Sequence, residues 1–170
     1  MTKNKLSQSQ IDQITASVLK VHARQKKKEQ KEKRDWQLHN TKLLLQNYRM
    51  LKAHCKDIPL DLSELENNTV FDIEDLTLVT LMEHKAKSYK LLQYFDATLQ
   101  AYNNLCYASE EADKRRYRAI HYMYLSEKIQ SKPTVAKALH VDRKTIERDV
   151  QKAVNDLSIM LFGVDAVLEK

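Results

Sequence analysis

With one glycine and two prolines in 170 residues, this chain has almost no material for tight turns. Strand-rich folds place such residues at every reversal, so their scarcity excludes a sandwich or barrel and points to long helices with few breaks. The two cysteines, Cys55 and Cys106, form no CxxC and have no histidine pair at ligand spacing, which excludes a disulfide framework and a zinc site. Both sit among apolar residues at helical spacing and read as buried free thiols in a reducing cytoplasm. No run of about 18 apolar residues occurs, so no membrane span is expected. The amino terminus lacks the apolar segment of a signal peptide. There is no glycine-rich phosphate loop, no GxSxG and no HExxH. Six histidines, His22, His39, His54, His84, His121 and His140, are scattered singly. No catalytic residue, cofactor or metal is therefore expected.

What is present is a 42% hydrophobic content, sufficient for a core, and a net charge of +6 with strong segregation. Lys20, Arg24, Lys26, Lys27, Lys28, Lys31, Lys33 and Arg34 crowd one stretch against only Glu29 and Glu32. Between Asp57 and Glu83 every charged side chain is acidic: Asp57, Asp61, Glu64, Glu66, Asp72, Glu74, Asp75 and Glu83. The last third is basic again. Such blocks imply separate surfaces with separate partners, and the basic ones suit a polyanion.

Apolar periodicity supplies the elements. After a polar tail at 1–7, Ser7 or Ser9 caps a helix to about Arg34 with a stripe of Ile11, Ile14, Val18 and Val21. The stripe stops at Val21, so the basic half that follows has no face to bury. A second helix, Trp36–Cys55, carries Leu43, Leu44, Leu45, Tyr48, Leu51 and Cys55, and Pro59 ends it. An acidic connector at 60–70 leads to the longest pattern, Ile73–Ala108, through Leu76, Val79, Met82, Ala86, Tyr89, Leu92, Phe95, Leu99, Tyr102 and Cys106. A helix of that length needs a partner helix, either residues 38–55 running antiparallel or a second copy in a homodimer. Glu110–Asp113 reads as a polar hinge. The expected fold is all-α: a helical-bundle or coiled-coil-like body made of a basic amino-terminal region (1–56) and an acidic connector with the long central helix (57–112). A carboxy-terminal helix-turn-helix domain (113–170) follows.

That last region carries the functional signal. Residues 115–125 form a scaffold helix with Tyr117, Ile120, Met123 and Tyr124 inward. Pro133 suits the first turn of a short helix, Thr134–His140. Asp142 is an N-cap candidate for a helix that runs to about Leu161 and stops at Gly163. Val135, Ala136, Leu139, Val141, Ile146 and Val150 fill the angle between two helices crossing over a tight turn. The opposite face of the last helix then presents Arg143, Lys144, Thr145, Glu147, Arg148, Gln151 and Lys152. Arg and Gln pair bidentately with guanine and adenine, Lys takes phosphate or guanine, and Thr145 takes a phosphate or a thymine methyl. Glu147 and Asp149 read as solvated, or as ion pairs with Arg143 or Lys152.

The run Val135–Val150 resembles region four of bacterial sigma factors. The whole chain resembles more closely the RinA/ArpU-like phage transcriptional regulators, through Lys33-Arg34-Asp35, Asn40 to Leu45, Asn47-Tyr48-Arg49, His54-Cys55 and the long helix ahead of the helix-turn-helix. The resemblance implies an activator of phage or mobile-element genes that acts with bacterial RNA polymerase, with its recognition helix at Asp142–Lys152. The inter-helix turn departs from the common pattern by carrying His140 where glycine is frequent. A left-handed non-glycine residue costs about 1 kcal/mol. The expected partners are double-stranded DNA and RNA polymerase. Lys26, Lys27, Lys28, Lys31, Lys33 and Arg34 form an auxiliary phosphate or polymerase contact, and the acidic stretch meets polymerase or the chain's own basic helix. Two alternatives stay open: the small subunit of a packaging terminase, and a helical interaction protein that binds no DNA.

Overall fold

The structure is a computed structural model; it describes residues 7–56 and 85–163, apart from the side chains at 11–12 and 85–87. All its regular elements are helices. They are α1 (Gln8–Cys55), α2 (Lys85–Tyr107), α3 (Glu111–Ile120), a π-helical turn (His121–Leu125), α4 (Lys132–Ala138) and α5 (Arg143–Phe162). The chain divides into two units, Met1–Trp36 and Gln37–Lys170. The acidic connector, Pro59 and the first part of the expected central helix lie outside the described residues.

Where two amino-terminal helices are expected, one is found. Ser7 opens α1 with a reciprocal cap: its Oγ accepts from the Gln10 amide at 3.3 Å, and its own amide donates to Gln10 Oε1 at 2.9 Å. Between Arg34 and Trp36 stands only Asp35, which lacks the means to stop a helix. The surrounding Lys, Glu, Gln and Arg are strong helix formers. Gln25 donates to Glu29 at 3.0 Å, and Lys28 pairs with Glu32 at 3.8 Å, so neighbouring turns are linked. Of the expected apolar stripe of the first unit, Ile14, Val18 and Val21 stay 52–65% exposed, and the side chain of Ile11 lies outside the described residues.

In the second unit, α1 buries Leu44, Leu45, Tyr48 and Cys55. The next helix, α2, buries Leu91, Leu92, Phe95, Leu99, Tyr102 and Cys106. The spacing of three and four in the sequence identifies all of these but Leu91. Tyr48 meets Phe95 edge to face at 5.9 Å and donates its hydroxyl to Asp96 at 2.7 Å, joining the two helices. Each large apolar side chain taken out of water contributes about 1.5–3 kcal/mol. Burial raises the pKa of both thiols, so Cys55 and Cys106 stay protonated and inert.

The expected hinge at Glu110–Asp113 is instead the start of α3. The Asp113 and Lys114 amides bond to the Glu110 carbonyl, and Glu111 and Asp113 sit where the helix dipole favours anions. At its other end α3 widens into the π turn, closed by the Ser126 amide on the His121 carbonyl at 2.9 Å. Three polar ties then fix α5 against α2 and α3. Arg115 grips Asp149 through Nε at 2.7 Å and Nη2 at 3.4 Å. Asp156 accepts from Arg116 and from the Tyr102 hydroxyl, both at 3.0 Å. Tyr94 donates to the Leu161 carbonyl at 3.0 Å, near the open end of α5. Arg116 also reaches Asp113 at 2.7 Å.

Asp149 is only 8% exposed at its side chain, so removing its partner leaves a buried carboxylate unpaired. Arg115→Met should lower stability by about 2 kcal/mol, measured as a shift of the urea midpoint at constant slope. Adding Asp149→Leu should restore most of the loss, because an apolar pair removes the stranded charge. An unchanged midpoint in Arg115→Met would reduce the pair to a surface contact.

Candidate nucleic-acid interface

The corner between α4 and α5 is built from local chemistry. Ser131 precedes α4 and its Oγ accepts from the Thr134 amide at 3.4 Å, with Pro133 in the first turn. The helix starts and ends two residues earlier than periodicity predicts, and a helix-closing motif follows it. The His140 amide bonds to the Lys137 carbonyl, and the Val141 amide reaches back five residues to the Ala136 carbonyl at 3.0 Å. This pattern needs a left-handed residue between the two amides. His140 takes that conformation at φ 54°, where glycine is usual. Two residues later Asp142 caps α5: Oδ1 accepts from the Thr145 amide at 2.9 Å and Oδ2 from the Thr145 hydroxyl at 2.7 Å. These bonds hold the Asp142 carboxyl below the usual carboxylate range.

The six residues named from sequence for the angle lie together. Val135, Ala136 and Ile146 are buried in one cluster with Ala119 of α3 and Met123 of the π turn. Leu139, Val141 and Val150 pack against it half-buried, as do Tyr122 and Tyr124. Ala136 is buried at the start of the reversal, where a larger side chain would hold the helices apart. Further along α5, Ala153, Val154, Leu157 and Leu161 continue the buried stripe.

The opposite face is open. Arg143, Lys144, Arg148, Gln151 and Lys152 are all exposed, and they form two rows along the first turns of α5. One row, Arg143–Glu147–Gln151, runs beside α4; the other, Lys144–Arg148–Lys152, is purely cationic. Glu147 accepts from Arg143 at 3.3 Å and pairs with Lys132 of α4 at 3.5 Å. Thr145 does not join the open face: it is half-buried, and its hydroxyl is committed to Asp142. In the first unit Lys26, Lys27, Lys28, Lys31, Lys33 and Arg34 are all exposed.

Sequence reading missed the polar ties behind this face. It treats Asp149 as solvated or paired within α5, whereas the side chain is buried against Arg115. The signal was available: Asp149 lies three residues after Ile146 and four before Ala153, on the buried stripe itself. Asp156 follows it by seven residues, and Arg115-Arg116 supplies the matching cations.

Among the described residues, no group of three His, Cys, Asp or Glu is placed to hold a metal. Nor is any described helix long and apolar enough to cross a membrane.

Two predictions test the corner. At φ 54° a β-branched residue is worse placed than His, so His140→Val should destabilise by about 1–2 kcal/mol relative to His140→Gly, compared by thermal unfolding. Equal stabilities would mean the turn can relax. For Asp142, the folded-state pKa is depressed, so its cap contributes fully above the ordinary Asp range. The contribution is lost as pH falls through the lowered value. Asp142→Asn should flatten that acid limb in a pH series of melting temperatures; an unaltered limb would assign it to other carboxylates.

No protein-family model, no curated protein and no solved structure matches this chain.

Proposed function

We propose that the chain is a DNA-binding transcriptional regulator in which α4, the His140 turn and α5 form a helix-turn-helix, with α5 seated in a major groove of duplex DNA. The observation that carries this reading is the outward row of Lys144, Arg148 and Lys152 beside Arg143 and Gln151. All five are exposed on the first half of one helix whose other face is buried. A helix of this width fits the major groove, where Arg143 and Gln151 meet base edges and the cationic row meets phosphates. The exposed run Lys26–Arg34 supplies sequence-independent attraction to the phosphate backbone or a contact for bacterial RNA polymerase. The likeness to RinA/ArpU-like phage regulators supports activation of phage or mobile-element genes. The reading assigns the chain no catalysis.

A salt series tests it. With the three cations of that row on phosphates, the log of the association constant should fall against log salt with a slope of about −3, since each contact contributes about −0.9. Arg148→Ala should weaken binding by about 1–3 kcal/mol with unchanged helicity by circular dichroism. Failure of the purified chain to bind any duplex at about 50 mM salt, where such contacts are strong, would overturn the proposal.

A further inference from the structure

The open face of α5 contains one anion, and its setting gives it a role. Glu147 lies on the row that borders α4, between Arg143 one turn before it and Gln151 one turn after. At about 100° per residue, Glu147 and Gln151 lie about 40° apart on the edge of the open face that borders α4, with Glu147 half-buried and Arg148 nearer the centre of that face. One oxygen, Oε1, takes both cations: Arg143 Nε at 3.3 Å from the same helix and Lys132 Nζ at 3.5 Å from α4. The carboxylate is therefore steadied from both arms of the corner and is 41% exposed at its side chain.

We infer that Glu147 is the specificity-determining residue of this face, reading the exocyclic amine of cytosine in the major groove and penalising every other placement of α5 on DNA. The inference rests on the DNA-binding reading above and deepens it. The electrostatics decide between a passive and an active role. A carboxylate pressed toward a phosphate backbone is repelled, so in any unspecific placement Glu147 opposes the cations around it. It becomes favourable only where the groove offers hydrogen-bond donors and no acceptor at that point. Cytosine N4 is such a donor, whereas guanine O6 and N7 and thymine O4 are acceptors that reject a carboxylate. Adenine presents a donor beside an acceptor and suits an amide better. Arg143 and Lys132 neutralise part of the charge, which limits the penalty on approach, and their contacts to Oε1 hold the carboxylate between the two helices.

The test uses the full-length chain and its Glu147→Gln and Glu147→Ala variants, each selecting from a pool of random duplexes. Affinity for an unselected duplex is titrated alongside. Wild type should select cytosine at one position of its site. Glu147→Gln should move that position toward adenine, and Glu147→Ala should lose preference there. Discrimination at that base pair should fall at least fivefold, while affinity for the unselected duplex rises several-fold in both variants. Circular dichroism and the melting temperature verify that the variants fold. Two results overturn the inference while leaving DNA binding intact: an identical selected motif in all three proteins, or unselected-duplex affinity that falls in the variants. A wild type that selects no duplex at all overturns the DNA-binding reading itself.

Discussion

The bidentate pair between Arg115 and Asp149 is the constraint on which the carboxy-terminal architecture depends. The apolar cluster around Ile146 and Val135 supplies attraction but little direction, because burial of apolar area is indifferent to small rotations. A planar guanidinium fork on a carboxylate is not indifferent. With Asp149 turned inward against α3, the helical repeat leaves Arg143, Lys144, Glu147, Arg148, Gln151 and Lys152 no direction but outward. Asp156, one heptad further along α5, takes Arg116 and the Tyr102 hydroxyl on the same side. Two buried-side anchors seven residues apart fix both the rotation and the axial position of α5. The exposed face of the helix is therefore a consequence of its buried polar contacts as much as of its apolar stripe.

The turn before α5 sets the other half of the geometry, and it does so locally. A helix end needs its last carbonyls satisfied, and the His140 and Val141 amides do this for α4. The next helix needs its first amides satisfied, and Asp142 does this at once. No residue between Leu139 and Arg143 is left to wander, so the crossing of α4 and α5 is defined before any long-range contact forms. The polar ties and the turn thus agree on one arrangement, which is the consistency expected of a sequence that specifies a single structure.

Much of this was legible from residue order. Ser7, Pro133, Asp142 and Gly163 marked helix ends by their own chemistry, and Leu92, Phe95, Leu99, Tyr102 and Cys106 marked a buried face by spacing. Misreadings arose where polar residues were involved. The continuity of α1 through Asp35 was missed because a fading apolar stripe looked like the end of a helix, although propensity and side-chain pairing sustain helices without burial. Asp149 reads as solvated, or as an ion pair with Arg143 or Lys152, because charge usually means exposure, yet its register on the stripe says otherwise. Thr145 was grouped with the cations by helical position, whereas the capping aspartate three residues before it claims its hydroxyl. For Asp149 periodicity gave the correct face and a partner distant in sequence changed the role; for Thr145 an adjacent cap changed it.

The two parts of α1 follow different physics, and this bears on how the basic run can act. From Gln37 onward the helix is held by burial of Leu44, Leu45, Tyr48 and Cys55. In the first unit the described side chains from Gln13 to Glu29 are all exposed, so helicity there rests on propensity, the Ser7–Gln10 cap and pairs such as Lys28–Glu32. Each of those contributes only tenths of a kcal/mol to about 1 kcal/mol. Exchanging Lys26, Lys27 or Lys31 for another good helix former therefore removes charge without disturbing a core. The charge of a run carried on a helix in this way can vary independently of the stability of the folded unit. Its charge can change while the α4–α5 corner, held by Arg115, Asp149 and the apolar cluster, stays the same.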